Sequence, residues 1–393
     1  MSTTDIPTRA QLVGRASELV PALRAKALWA EENRRLHEDS IEALADAGVF
    51  KLRVPKRYGG YEADTATLVD VATELGRADS STSWVASVYW IPTWMACLFP
   101  DEVQDEVFAT PNVRICGTLS PSAMAKPADG GVVVTGKWGF ISGAHHAQWQ
   151  EVIAILVPED GEPYPIMALV PISDLLVIDD WYASGLKGTG SVSTVARDLF
   201  IPQERVLPLP AVLQGHTASK LNADAEIYRP PLLPVAAASS VGTVVGMAMA
   251  AKETFLKRLP NRKITYTGYE SQREAPLTHL QVAEATHKLD EARFHANRLT
   301  ALVDGKAAEG ADWKLEERAE ARADLGVTVR LAKEAIDIFA SASGGSSIYR
   351  DVPIQRIARD IQAVNLHALM NPNTNAELYG RVLCGLEPNT LYV

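Results

Sequence analysis

Cysteine is scarce in this chain. Its 393 residues hold three, Cys97, Cys116 and Cys384. They are odd in number and far apart, with no C-x-x-C pair. That excludes a disulfide framework and a cysteine metal site, and it fits a reducing, cytoplasmic setting. Positive charge is thin as well: the formal net charge is -10, and no lysine–arginine cluster of DNA- or RNA-binding size forms. Nucleic acid is therefore excluded as the main partner. The first twenty residues carry Asp5, Pro7 and Arg9 but no apolar core of signal-peptide length. Uncharged stretches of membrane length are nearly absent. The exception, residues 232–251, is made mostly of Ala, Ser, Gly and Val, and the amphipathic AKETFLKRL follows at once. Small residues insert weakly and pack tightly, so a helix buried in a bundle is expected there, and no membrane span. A G-x-S-x-G elbow, a clear Ser-His-Asp order, a nicotinamide fingerprint and internal repeats are all missing, which disfavours acyl transfer and dinucleotide folds. His145 and His146 are adjacent and lack a nearby carboxylate. On a strand they would point to opposite faces, so no metal site is expected.

What is present divides the chain into three. Residues 1–112 read as a helical domain, 113–209 as a β domain and 210–393 as a helical bundle. The fold class is thus α+β, mainly α. Leu12, Ala16, Leu19, Leu23 and Ala27 recur at helical spacing, with Pro21 marking a kink or a new start. Residues 84–99 form a nearly uncharged helix crowded by Trp84, Tyr89, Trp90 and Trp94. These rings serve a packed core, a pocket wall or both. From 113 the period changes to two. Runs at 113–119, 132–142, 151–157, 165–170 and 192–200 are β-branched and separated by Asp-Gly, Gly-Gly and Pro-containing turns. Their spacing predicts a small antiparallel barrel or sandwich. Helices are predicted at 234–259, 276–302, 314–341, 354–370 and 375–384, a bundle with short connections.

Several residues are candidates for chemistry. The stretch 132–149, VVVTGKWGFISGAHHAQW, reads as two strands around a turn, and Ser142 either ends its strand or faces a ligand. The loop 185–191, GLKGTGS, looks like a phosphate cradle. A strand follows it instead of a helix, which rejects both the P-loop and the Rossmann assignment and leaves a tight turn approaching something flat. Arg258, Arg262 and Lys263 form either a phosphate anchor or a solvated charge run. His367 is predicted on the helix of Arg356, Arg359 and Asp360. It is either a satisfied helical residue or a group tuned to take a proton near neutral pH.

Taken together, STSWVASV at 81–88, VTGKWGFISGAHHAQW at 134–149, DDWYASGLKGTGS at 179–191 and PIQRIARDIQAVNLH at 353–367 carry a family resemblance. The chain resembles the acyl-CoA dehydrogenase fold over nearly its whole length. Within that fold it is similar to the oxygenase components of two-component flavin-dependent monooxygenases. That group includes 4-hydroxyphenylacetate, steroid-phenol and polyketide hydroxylases and amino-sugar N-oxygenases. The resemblance implies reduced FMN, or FAD, delivered by a separate flavin reductase, with O2 as co-substrate. It implies a flavin C4a-hydroperoxide that hydroxylates an aromatic substrate, polycyclic or otherwise, or oxidises an amine nitrogen. Ser142 then lies beside flavin N5, and His367 assists deprotonation of a phenol, whose unperturbed pKa is about 10, or positions the oxygenated flavin. Trp138 and Phe140 match flavin walls and Arg262 a phosphate anchor. Gly344 and Gly345 face the cofactor of a neighbouring subunit in a homotetramer. Trp84, Ser120 and His367 line the substrate pocket. A catalytic glutamate of the dehydrogenases would stand one place past His367, where this chain has Ala368. A histidine common in phenol hydroxylases of the group, eight residues after Trp84, is replaced by Pro92. The rival readings are an acyl-CoA dehydrogenase using Glu377 and a non-catalytic helical assembly protein.

Overall fold

The computed structural model describes residues 6–393. Residues 1–5, the head of the first predicted domain and the place of Asp5, lie outside the described residues. Five helices come first: α1 (Arg9–Asn33), α2 (Glu38–Asp46), α3 (Thr65–Ala78), α4 (Ser80–Ala96) and α5 (Asp101–Val107). Thr8 and Gln11 form a capping box at the start of α1, and the helix continues past Pro21 without ending. Asp79 caps α4 by accepting from the Thr82 amide at 2.8 Å.

Eight strands follow, β1 (Ile115–Gly117), β2 (Ala123–Ala128), β3 (Gly131–Ile141), β4 (Trp149–Leu156), β5 (Tyr164–Pro171), β6 (Leu176–Ile178), β7 (Val192–Pro202) and β8 (Val206–Pro208). They form one sheet in the order β6-β7-β3-β2-β4-β5-β8, with β1 also paired to β4. The sheet is mixed where an antiparallel one was expected: β1 and β2 both run parallel to β4. The reason is topological. β2 reverses into β3 through a tight turn, and the next reversal returns β4 on the far side of β2. Two reversals restore the original direction, so neighbours β2 and β4 are parallel.

The remaining helices are α6 (Leu209–Leu213), α7 (Leu232–Arg258), α8 (Pro276–Glu309), α9 (Leu315–Ala342), α10 (Pro353–Asn365) and α11 (Pro372–Leu383). The uncharged run is the core of α7, a helix long and apolar enough to cross a membrane but 94% buried over its apolar window. Its small residues have a packing purpose. A Cβ on Gly242 or Gly246 would strike the backbone of α3, and one on Gly76 would meet the Thr243 carbonyl at 2.7 Å. α3 and α7 therefore touch backbone to backbone, an approach that Leu or Phe would forbid.

Helix α4 sits between the two large apolar clusters. Trp84 and Trp94 join the cluster around α7, whereas Val85, Tyr89 and Trp90 join the one against α1, α3 and the sheet. Strand β4 is shared in the same way, with Ile153 on one side and Val152 and Ala154 on the other. The sheet is thus covered on both faces at β4 and β5, whereas β2 and β3 keep an exposed outer face at Met124, Lys126, Thr135 and Lys137. The α4–sheet seam is where side chains from all three parts of the chain meet.

The helix predicted to 370 stops at Asn365. Pro372 opens α11, with Asn371 capping it through the amides of Asn373 and Thr374. The residue before a proline is driven out of helical geometry, so the chain turns over 366–371 before restarting. His367 stands in that turn. It is not in register with Asp360, as one continuous helix would have made it.

Candidate active site

Ser142 follows an irregular end of β3. The register of β3 against β7 slips between Trp138 and Ile141, and Phe140 has a left-handed φ of 63°. Strict alternation would send residues 138, 140 and 142 to one face; the bulge breaks it. Trp138 is 0% exposed and its Nε1 donates to the Ile153 carbonyl at 2.8 Å. It is a core residue, and its expected role as a flavin wall is corrected. Phe140 is 73% exposed and meets Trp181 edge to face at 5.9 Å, so it remains open to a flat ligand.

Ser142 itself is buried and held by two side-chain hydrogen bonds. Trp84 Nε1 donates to its Oγ at 3.2 Å, and Ser191 Oγ lies 2.7 Å away. Ser191 Oγ is 2.6 Å from Thr189 Oγ1, which donates to the Leu186 carbonyl at 2.8 Å. The backbone closes the same contact, with Gly143 N donating to Thr189 O at 2.9 Å and Tyr89 OH to Gly143 O at 2.6 Å. Leu186 is a non-glycine residue with φ of 50°. Its conformation is over-determined: its N–H donates to Asp360 Oδ1 at 2.7 Å, while its carbonyl also accepts from Trp181 Nε1 at 3.1 Å. The glycine loop 185–190 is therefore a hydroxyl and carbonyl scaffold under Ser142.

His367 reaches the same place from the bundle. Its ring lies edge-on to Trp84, with centroids 5.1 Å apart. His367 is exposed at the surface, yet the surrounding protein desolvates its imidazole and lowers its pKa to about 4. It is neutral at pH 7. Nδ1 accepts from the Leu369 amide at 3.2 Å, which assigns the proton to Nε2. His367 thus carries a hydrogen-bond donor at Nε2 beside Trp84, where the sequence left base and positioning roles open. Trp84, 5% exposed, is the link between Ser142 and His367. On the otherwise buried α4, Val88 and Ile91 share its face and are only half-buried, as cleft-lining residues should be.

Ser120 is not drawn into this set. It is exposed between β1 and β2, and its bonds are local, from its amide to Thr118 Oγ1 at 3.4 Å and from the Ser122 amide to its carbonyl at 2.9 Å. The neighbouring Leu119 carbonyl accepts from Tyr392 OH at 2.9 Å. Glu151 lies against Gly117 at the end of β1. It is 1% exposed, its Oε1 has no partner, and burial alone pushes its pKa up to about 8. Glu377, the rival base, is exposed on α11 and accepts from Asn389 at 3.2 Å.

Arg262 belongs to a second cluster at the end of α7. Its Nη2 lies 2.7 Å from where a Cβ on Gly344 would stand, and Gly344 has φ of 62°. The left-handed φ favours glycine there, and a side chain would push the Arg262 guanidinium out of its place. Arg258 Nη2 reaches Ser346 Oγ at 3.4 Å. The Nη1 atoms of Arg258 and Arg262 are both buried without a partner, and burial together with Arg258 lowers the Arg262 pKa. Gly345 is exposed, with open space at its Cβ position. Two orphaned guanidinium donors beside a bare glycine turn fit a phosphate. Among the described residues no hydrogen bond joins this cluster to Ser142, and no group of three or more His, Cys, Asp or Glu side chains gathers as a metal site would require. His145 and His146 lie in a short 3-10 turn, with His146 Nε2 3.1 Å from the Leu36 carbonyl.

Thr189, Ser191, Asp360 and Glu151 were missed as site residues by sequence reasoning. The T-x-S spacing inside the glycine loop was the available signal for the first two.

Comparison with known proteins finds the same architecture. The acyl-CoA dehydrogenase N-terminal domain model matches residues 16–110 and the acyl-CoA dehydrogenase C-terminal domain model matches residues 238–372. The chain is similar to the FADH2-dependent resorcinol hydroxylase oxygenase component of Rhizobium sp., at 33% identity over 97% of this chain and 96% of that one. Among solved structures it is similar to the HsaA monooxygenase of M. tuberculosis, with TM-score 0.91, 29% identity and coverage of 98% and 100%. It is equally similar to XiaF from Streptomyces sp., solved with FADH2 and glycerol, with TM-score 0.91, 29% identity and 97% coverage of both chains.

Proposed function

Since the chain belongs to the flavin-dependent monooxygenase oxygenase components of the acyl-CoA dehydrogenase fold, we propose that it hydroxylates an aromatic substrate. Reduced flavin comes from a separate reductase. One atom of O2 enters the substrate, the other leaves as water, and the flavin leaves oxidised. When bound, the reduced flavin supplies the electrons that activate oxygen; the chain's residues bind, orient and exclude water. Between the two flavins we favour FADH2 over FMN, the first expectation from sequence, because the resorcinol hydroxylase is FADH2-dependent and XiaF was solved with FADH2.

The observation that carries this reading is the Ser142–Trp84–His367 set with Ala368 where a dehydrogenase base would stand. Ser142 offers a lone pair to the flavin ring. His367 offers its Nε2–H to a substrate oxygen, favouring the phenolate, which is a stronger nucleophile than the phenol. Trp84, Val88 and Ile91 supply an apolar wall, and Phe140 an open face for the flavin. Ser120, exposed and bonded only locally, is given no direct part in binding the substrate. Arg262 and Arg258 take a flavin phosphate, with Gly344 and Gly345 leaving it room. Because that anchor is not joined to the Ser142 cleft, a neighbouring copy is proposed to bring the two together, in a homotetramer working in the cytoplasm.

The test uses FADH2, 18O2 and a panel of phenols that includes resorcinol. One labelled oxygen in the product is expected. Absence of saturable FADH2 binding, or formation of an enoyl thioester from an acyl-CoA, would overturn the reading.

A further inference from the structure

The three hydroxyls beneath the cleft have a fixed polarity, and it follows from one oxygen that has no hydrogen to give. The Leu186 carbonyl lies 2.8 Å from Thr189 Oγ1. Two oxygens at that distance need a proton between them, and only the threonine carries one. The Thr189 proton is therefore spent. At 2.6 Å from Thr189, Ser191 must be the donor. At 2.7 Å from Ser191, whose proton is now spent too, Ser142 must donate in turn. Trp84 Nε1, a donor only, occupies one lone pair of Ser142 at 3.2 Å. What Ser142 has left for the cleft is one lone pair and no proton. All three hydroxyl residues are buried, at 1% exposure for Thr189, 5% for Ser191 and 4% for Ser142, so bulk water does not rewrite this order. Asp360 Oδ1 fixes the origin of the chain by holding the Leu186 amide at 2.7 Å.

We propose that Thr189 and Ser191 are positioning residues that lock Ser142 as a hydrogen-bond acceptor and so make the site select reduced over oxidised flavin. The inference rests on the flavin reading above. A reduced flavin carries N5–H, which an acceptor satisfies. An oxidised flavin presents an N5 lone pair, which meets the lone pair of Ser142. An oxygenase that must capture reduced flavin and release the oxidised form gains both ends of its cycle from this one orientation. Removing the acceptor beyond Ser142 frees its proton to turn into the cleft and satisfy oxidised flavin instead.

The experiment is an anaerobic titration of the purified protein with FADH2 and, separately, with FAD. The midpoint potential of the bound flavin is a second readout, tied to the two affinities by a thermodynamic cycle. Wild type is expected to bind FADH2 at least about tenfold more tightly, the worth of one hydrogen bond gained against one lost. Ser191→Ala and Thr189→Val should cut that ratio about fivefold or more, mainly by tightening FAD. Thr189→Ser, which keeps the hydroxyl, should stay at the wild-type ratio. In a Ser142→Ala background, Ser191→Ala should have no further effect. If Ser191→Ala and Thr189→Val leave the ratio unchanged, or weaken both flavins equally, the inference is wrong while the flavin reading stands. If wild type binds no reduced flavin, the flavin reading itself falls.

Discussion

The Ser142 cleft and the arginine pair at the end of α7 solve opposite problems. In the cleft every hydroxyl is partnered within the protein, from Trp84 through Ser142, Ser191 and Thr189 to the Leu186 carbonyl. At the end of α7 two buried guanidinium nitrogens have no partner at all. The first arrangement is set before a ligand arrives, and it offers only direction. The second is costly while unpaired, and on the proposed function a flavin phosphate would relieve that cost and gain affinity. On the proposed function, orientation and affinity are held by separate parts of the chain, and substitutions should separate them.

The largest effect is expected from the arginines. Removing both, Arg258→Ala with Arg262→Ala, should weaken FADH2 binding by about a hundredfold or more, at roughly 1.5–3 kcal/mol for each charged hydrogen bond. Equilibrium titration reads this, and product yield per bound flavin should hold. If yield per bound flavin collapses instead, the division between the two regions is false.

His367→Ala should act on the other side. Product formation should fall at least about tenfold, as for loss of a positioned proton-transfer or donor group, with the FADH2 dissociation constant unchanged. With a pKa near 4 the imidazole stays neutral, so wild-type turnover should show no ionisation of His367 between pH 5.5 and 8. An activity that rises with a histidine-like pKa near 6.5, and loses that limb in His367→Ala, would restore the base role.

Trp84→Phe keeps the ring beside His367 and removes the donor to Ser142. Hydrogen peroxide released per FADH2 consumed should rise about threefold to fivefold, a loss of roughly 1 kcal/mol. No change in that yield would mean that the Trp84–Ser142 bond does not matter to the cleft.

Glu151 should give the smallest effect on turnover and a clear one on stability. Its pKa is raised from 4.5 to about 8 by burial. Its contribution is therefore whole below about pH 4.5 and is lost as pH rises through about 8. Between those values Glu151→Gln should flatten the decline by about 1.4 kcal/mol per pH unit, read from denaturant melts at several pH values. Parallel pH profiles for the two proteins would contradict the buried, unpartnered carboxyl.

The helices were legible because apolar spacing survives tertiary packing; the small-residue run of α7 even announced a close helix contact. The parallel β2–β4 pairing was not, since alternation within strands says nothing about which strands meet. Trp138 and Phe140 look equivalent by parity, and only the bulge separates them into core and cleft. His367 is legible by resemblance, but the donor role proposed for it depends on the turn made by Asn371 and Pro372, which a continuous helical pattern conceals. The hydroxyl chain through Thr189 and Ser191 was hidden for a different reason. Its meaning depends on the Leu186 carbonyl, and backbone atoms leave no mark in a sequence.

On the proposed function this chain captures reduced flavin and passes oxygen from it. The measurement that tests it most directly is an anaerobic comparison of FADH2 and FAD binding by the wild-type protein. FADH2 is expected to bind at least about tenfold more tightly. Equal affinity, or tighter binding of FAD with bleaching of its colour by an acyl-CoA, would contradict it.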